Sequence, residues 1–252
     1  MHFPLEIGYG AFKINGHLFF EVLAFFIGFQ YFAKLSKENP GKISETNRIW
    51  ILIGAIFGAF FFSRLVGSLE NPTAFFHSKN KLLYFYSCKT ILGGLLGGLL
   101  VVEIVKKIIN EKNSSGDLLT YPLILAMMIG RIGCFTSGVF EDTYGDETEF
   151  FFGMDLGDGL KRHPIALYEI IFLGLLWLIL KHMEKKQKLK DGYRFQLFMI
   201  FYLVFRLMID FIKPTHTFFW EIGTLQICCI LGLIYYYPTI IKLLGKRSNL
   251  YE

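Results

Sequence analysis

The chain has 252 residues, of which 53% are hydrophobic, 17% aromatic and only 19% charged. Soluble domains usually carry about 25% charged residues, and 28 phenylalanines are more than a water-exposed surface readily tolerates. This composition excludes a disordered chain, a coiled coil and a collagen. It also argues against a soluble nucleic-acid binder, in spite of the net charge of +5, and it indicates a protein that crosses a membrane several times.

Seven stretches are apolar enough and long enough to cross a membrane, because a spanning helix needs about 20 mostly apolar residues. They are 17–34, 49–67, 83–105, 118–139, 164–181, 194–212 and 219–241. Short polar loops separate them and leave no room for a second domain. The sequence therefore predicts one all-α polytopic membrane domain over 1–252, with seven transmembrane helices.

The distribution of Lys and Arg predicts how these helices are oriented. The loops after the first, third and fifth stretches and the C-terminal tail carry sixteen of these residues, against six on the opposite side. Because cytoplasmic loops carry the excess of positive charge, we expect the N-terminus outside and the C-terminus in the cytoplasm. The positive charge then reflects topology and attraction to the lipid surface, and no nucleic-acid partner is expected.

The outer loop over 140–163 differs from the other loops, because it holds seven acidic residues and four glycines within 24 positions. Loops of this length inside compact domains are often functional. A solvated acidic loop with no further role is an equal alternative.

Ionisable residues inside the predicted spans are unusually frequent. Each costs roughly 2.5–3.5 kcal/mol at the centre of a span and therefore needs a partner or a polar cavity. They are Glu21, Lys89, Glu103, Arg131, Glu169, Arg206 and Asp210. For several of them a simple explanation exists: Glu103 and Glu169 could lie at the interface, Lys89 could extend to it, and Arg206 could pair with Asp210 four residues later.

Arg131 and Glu21 are harder to explain, because neither has an opposite charge nearby on its own helix. Their partners must come from other helices or from a ligand, so either a shared polar cavity or a set of structural ion pairs is expected. A cavity that held Arg131, Arg206 and Lys89 would be cationic. Since the arginine fork suits phosphate oxygens, the pattern predicts a site for a phospholipid headgroup.

Glycines mark two of the spans. Span 3 contains GGLLGG over 93–98, which creates a flat face for close helix packing or for a lipid. Gly130 and Gly133 flank Arg131 and would let the backbone approach a ligand. The cysteines at 88, 134, 228 and 229 lie in apolar stretches without zinc spacing, so neither a disulfide nor a metal site is expected.

Several motifs occur together in a specific order. GRIGCFTSG (130–138), RHPIALYE (162–169) and YLVFRLMIDF (202–211) follow GGLLGG along the chain. Together they resemble the prolipoprotein diacylglyceryl transferases, bacterial inner-membrane enzymes of lipoprotein biosynthesis, over spans 1 to 6. The resemblance implies transfer of the diacylglyceryl group of phosphatidylglycerol to the lipobox cysteine of a prolipoprotein signal peptide. It implies no metal or organic cofactor, and partners that are membrane lipids and that signal peptide.

The resemblance also implies roles for individual residues. Arg131 and Arg206 would hold the donor phosphate. The other predicted substrate-binding residues are Lys89, Gly130, Gly133, Tyr168 and Glu169. Asp210 stands where the family usually has Glu, and we predict it as a catalytic residue that orients Arg206.

This sequence departs from the family at positions that matter for catalysis. Leu92 stands where the family has an essential histidine, and Cys134 replaces one of its asparagines. The motifs therefore do not identify which residue is the base that activates the thiol. We predict Glu21 in this role, with His163 as a second catalytic candidate. The alternatives are a transferase with another acceptor and a non-catalytic lipid-binding homologue.

Overall fold

The computed structural model describes residues 3–9, 12–39, 42–186, 189–214, 217–219 and 222–245. The helices are α1 Gly16–Glu38, α2 Glu45–Ser68, α3 Pro72–His77, α4 Lys81–Ser87, α5 Ile91–Ile108, α6 Gly116–Ser137, α7 Ile165–Lys186, α8 Tyr193–Ile209, α9 Thr224–Tyr235 and α10 Tyr237–Leu244. Helices α6 and α8 each continue into a 3₁₀ turn, Gly138–Phe140 and Asp210–Ile212. Three short antiparallel hairpins complete the described part: β1 Glu6–Tyr9 with β2 Phe12–Asn15, β3 Met154–Asp155 with β4 Lys161–Arg162, and β5 Thr217–Phe219 with β6 Ile222–Gly223.

Five helices are long and apolar enough to cross a membrane: α1, α2, α6, α7 and α8. Two bent pairs, α4 with α5 and α9 with α10, raise the number to seven if each pair is one span. Many large apolar side chains face outward, among them Phe25, Phe57 and Leu178, as lipid contact requires. The structure thus confirms the prediction of an all-α polytopic membrane protein. The orientation of the termini stays a prediction.

The stretches predicted as the third and seventh spans are each built from two helices that meet at a bend. Helices α4 and α5 meet at 94°, and α9 and α10 meet at 66°. In the second pair, Pro238 lies in the first turn of α10, where it lacks an N–H and cannot continue the preceding helix. In the first pair, Thr90 caps α5 by accepting from the N–H of Gly93.

The link between α4 and α5 is held by one residue of α2. The Ser63 hydroxyl donates to the Thr90 carbonyl at 2.8 Å, and the Thr90 N–H donates to the Ser63 carbonyl at 3.1 Å. Non-helical backbone at membrane depth is tolerated only where protein or water satisfies it. These bonds satisfy the backbone N–H and carbonyl of Thr90. Lys89 lies in this link, outside both helices.

The glycines of span 3 pack α5 against α2. A Cβ at Gly97 would lie 2.1 Å from Phe62 Cβ, and one at Gly93 would lie 2.5 Å from the Phe62 carbonyl oxygen. Gly94 is roomier, since its Cβ would lie 3.6 Å from the Ala59 carbonyl oxygen. The contacts support the helix-packing interpretation of this motif.

We expect Gly97→Ala to destabilise the protein by about 1–3 kcal/mol, because the added methyl overpacks the α2–α5 contact. Gly94→Ala is the matched control and should be neutral or stabilising by up to about 1 kcal/mol, since alanine favours helix and the space exists. Thermal unfolding of the two variants in detergent measures the difference. Equal unfolding temperatures would contradict the packing geometry.

The outer loop over 140–163 folds against the helix ends. The Val139 N–H donates to the Leu156 carbonyl at 3.1 Å, and the Asp146 N–H donates to the Ile212 carbonyl at 2.9 Å. Gly138 has φ +59°, and a Cβ there would lie 2.1 Å from the Leu156 oxygen, so only glycine fits. Asp155 accepts two backbone N–H bonds within the loop. The loop is thus ordered by its own contacts and by the ends of α6 and α8.

Candidate functional site

Three helices bring two arginines onto one glutamate inside the bundle. Arg131 of α6 places Nη2 2.9 Å from Glu169 Oε2, and Arg206 of α8 places Nη1 3.4 Å from the same oxygen. The Tyr202 hydroxyl donates to Glu169 Oε1 at 2.9 Å. Glu169 and Tyr202 are fully buried, and both arginines are less than 8% exposed. We call these four residues the arginine cluster.

The arginine cluster carries one net positive charge, from two guanidinium groups and one carboxylate. Arg131 Nε is buried and makes no hydrogen bond with any residue in the described part of the chain. Arg131 Nη1 lies 3.6 Å from Cys134 Sγ, a weak acceptor. Because buried charge is stable only when it is compensated, the surplus donors and charge suit an anion. The cluster can therefore hold a phosphate group.

The structure gives these residues partners that the sequence did not indicate. Glu169 is fully buried and is the shared partner of both arginines. Arg206 pairs with Glu169, whereas the two carboxylate oxygens of Asp210 are buried and make no hydrogen bond with any described residue. Asp210 lies in the 3₁₀ turn after α8, so it acts on Arg206 only through its charge.

Glu70 and Lys213 lie beside the arginine cluster and were missed as site residues. Burial lowers the pKa of Lys213 and raises the pKa of Glu70, although each opposes that shift in the other. Arg206 and Asp142 also act electrostatically on Glu70. Glu70 and Lys213 each come just after a predicted span. At such a position the sequence pattern does not indicate whether a charged side chain is buried.

A second charged group, which we call the histidine cluster, joins α1 to the outer loop and to the link before α5. Lys89 Nζ donates to both oxygens of Glu21, at 2.8 and 2.7 Å. His17 Nε2 lies 3.9 Å from Glu21 Oε2, and His17 Nδ1 lies 2.8 Å from Glu141 Oε1. This contact with His17 lowers the pKa of Glu141. The cluster consists of His17, Glu21, Lys89 and Glu141.

The pairing of Lys89 with Glu21 changes the expected roles of both. Glu21 finds its partner on another element, as predicted, and both of its carboxylate oxygens are engaged by the Lys89 ammonium. Lys89 neutralises Glu21 and does not join the two arginines in one cationic cavity, which corrects that expectation. His17 was not predicted as a site residue, because a histidine at the first position of a span is usually taken to lie at the membrane interface.

The remaining predicted residues have mixed surroundings. His163 Nδ1 lies 3.2 Å from the Tyr168 hydroxyl, which ties these two residues to each other at the end of the loop. Gly133 packs against α1, with its Cβ position 3.1 Å from the His17 carbonyl oxygen, whereas nothing lies within 4 Å of a Cβ at Gly130. Leu92 is buried in the apolar core.

Within the described residues, no three His, Cys, Asp or Glu side chains form a group that could hold a metal ion. The cysteines of this part of the chain are free thiols. The chemistry available at the site is therefore that of two arginines, two lysines, carboxylates and imidazole.

Comparison with known proteins agrees with a membrane protein whose site is built from these side chains. The family model described as prolipoprotein diacylglyceryl transferase matches residues 4–241. A phosphatidylglycerol–prolipoprotein diacylglyceryl transferase of Rickettsia felis is 29% identical, with 83% of each chain covered. The protein of the same name from Campylobacter hominis is 26% identical, with 98% of this chain and 94% of the relative covered. A match over nearly the whole length, on a helical membrane fold with convergent buried arginines, shows that this chain belongs to the prolipoprotein diacylglyceryl transferase family.

Proposed function

We propose that this protein transfers the diacylglyceryl group of phosphatidylglycerol to the lipobox cysteine thiol of a prolipoprotein in the bacterial inner membrane. The observation that carries the proposal is the arginine cluster, which sets two guanidinium groups against a single carboxylate. The family and the names of the relatives supply the substrates. The arginines supply what the donor requires, namely a buried positive site for its phosphate.

The reaction breaks the bond between a glyceryl carbon and a phosphate oxygen. Negative charge grows on that oxygen as glycerol phosphate leaves, and fixed donors in a dry site stabilise it. Arg131 and Arg206 would hold the phosphate, because each has donors left over after its contact with Glu169. Glu169 and Tyr202 would keep the two guanidinium groups in place.

Access from the outer leaflet follows from where the two clusters lie. Both are at the same end of the bundle: the start of α1, the end of α6, the start of α7 and the end of α8. The acidic loop folds over that end. With the orientation predicted from the charge of the loops, this end faces outward, where a secreted precursor presents its cysteine.

A transfer assay tests the proposal. Purified protein in detergent is mixed with phosphatidylglycerol and a lipobox peptide that has one cysteine. We expect mass spectrometry to find the diacylglyceryl thioether, and a coupled assay to find one glycerol phosphate released for each thioether. The same peptide with serine in place of cysteine is the matched control and should give no product.

Leu92 and Cys134 replace a histidine and an asparagine of the family, so two other functions are considered. The same assay distinguishes them. Release of glycerol phosphate without the thioether would indicate a transferase with another acceptor. Retention of phosphatidylglycerol with neither product would indicate a lipid-binding homologue. Either outcome would contradict transfer to the lipobox thiol.

A further inference from the structure

The transfer needs a group that takes the proton of the thiol, because the thiolate is the nucleophile. Of the histidines in the described part of the chain, His77 and His182 are exposed, and His182 lies near the opposite end of the bundle. His163 contacts the Tyr168 hydroxyl. The remaining one, His17, sits among charged groups at the end of the bundle that holds the arginine cluster.

The surroundings of His17 distinguish its two ring nitrogens. Nδ1 lies 2.8 Å from Glu141 Oε1 in an ion-pair contact without hydrogen-bond geometry, whereas Nε2 is 3.9 Å from Glu21 Oε2, which is too far for a hydrogen bond. A carboxylate beside one nitrogen holds the ring in place by its charge and leaves the other nitrogen free to take a proton. The side chain is only 12% exposed, so its position is constrained.

We propose that His17 is the general base of this transferase, with Glu141 as its positioning residue; the inference rests on the function proposed above. Nε2 takes the proton of the cysteine thiol. The thiolate sulfur then attacks the glyceryl carbon that carries the phosphate, the C–S bond forms, and the C–O bond breaks. Its electron pair leaves on the phosphate oxygen, and the imidazolium later returns its proton to the released phosphate or to water.

The charged groups around His17 agree with this role. They are Glu21 on its own helix, Glu141 after α6, and Lys89 before α5, which pairs with Glu21 and also acts electrostatically on Glu141. The charge of Glu21 is thus compensated by Lys89. Glu141 is left as the one carboxylate in direct contact with the ring.

His17 and Arg131 also lie at the same depth in the bundle. The His17 carbonyl is 3.1 Å from the Cβ position of Gly133. Arg131 is two residues before Gly133 on α6, and two residues span a height of only about 3 Å along a helix. The adjacent residues Glu141 and Asp142 connect the clusters around the end of α6: Glu141 contacts His17, and Asp142 and Arg206 both act on Glu70. Both clusters thus lie at the same end of α6, and the proposal requires the bound donor to extend from the arginines to His17.

The test compares a thiol with a nucleophile that needs no base. His17→Gln, His17→Asn and Glu141→Gln are assayed with the cysteine peptide and with a selenocysteine peptide, whose selenol is already largely ionised at neutral pH. His182→Gln is the matched control. Binding of phosphatidylglycerol and the unfolding temperature are measured on the same preparations to show that each variant is folded.

We expect both His17 variants to lose about 10²–10⁴-fold of thiol transfer at neutral pH and less than about tenfold of selenol transfer. Their residual thiol transfer should rise with pH until the thiol itself ionises near about 8.5. Glu141→Gln should lose at least about tenfold of thiol transfer. Equal losses with both peptides, or no loss with the thiol, would overturn the proposal. If wild-type protein forms no thioether at all, the transferase function fails first and this inference with it.

Discussion

Replacement of Arg131 by alanine is expected to lower the rate of transfer by roughly 10²–10³-fold, the usual cost of one donor that stabilises a developing oxyanion. The variant removes the guanidinium that lies closer to Glu169. Glu169 and Arg206 then form a neutral pair, and the surplus positive charge that would attract the donor phosphate disappears. Phosphatidylglycerol retained on purification should fall in parallel with the rate of thioether formation.

Two further variants sharpen this prediction. Arg131→Lys keeps the charge but loses the planar fork, so it should recover part of the binding and little of the rate. Lys34→Ala is the matched control, since it removes one positive charge from an exposed pair with Glu38 near the opposite end of α1. Normal binding of phosphatidylglycerol by folded Arg131→Ala would contradict the phosphate site.

Glu169→Gln should destabilise the protein strongly, by roughly 3–5 kcal/mol, because it leaves two buried guanidinium groups without a counter-charge. Glu103→Gln is its control. Glu103 is partly exposed and pairs with Lys106 at 3.6 Å, and loss of a pair that solvent reaches costs at most about 1 kcal/mol. Thermal unfolding in detergent gives both values.

The double variant Glu169→Gln with Arg206→Met identifies the cause. It restores a net charge of one positive unit to the cluster, so part of the lost stability should return. If the double variant is no more stable than Glu169→Gln alone, repulsion between the arginines does not explain the loss. If Glu169→Gln is as stable as wild type, the ion pairs described above are not formed in the protein.

The fold class could be predicted from the sequence because hydropathy depends on composition alone. Each of the five straight spans overlaps one predicted apolar stretch and extends a few residues beyond it. The bends could not be predicted in the same way, because an apolar stretch such as 83–105 has the same hydropathy whether its helix is straight or broken. Pro238 is a local helix-breaking residue at the second bend, although the stretch 219–241 was predicted as one span. For the first, the decisive contact is with Ser63 on another helix, which no local pattern reveals.

For the site, the sequence indicated which residues need partners but not which partners they have. Arg131 and Arg206 were expected to converge, and they do so on Glu169, whose burial depends on how α7 packs. Glu21 was expected to need a partner from another helix or a ligand, and Lys89 to extend to the interface or to join the arginines. Their pairing across 68 positions is a property of the tertiary structure. The same holds for His17 and Glu141, which meet only because the chain after α6 returns to the start of α1.

The arginine cluster has a consequence for how the protein is made. During synthesis, α6 reaches the membrane before the residues that neutralise Arg131 exist, and an arginine inside a lone span is costly, by up to about 2.5–3.5 kcal/mol at the centre on insertion scales. Glu169 follows 38 positions later, at the start of α7. We therefore expect the translocation machinery to retain α6 until α7 emerges and to release the two helices into lipid as a preassembled hairpin.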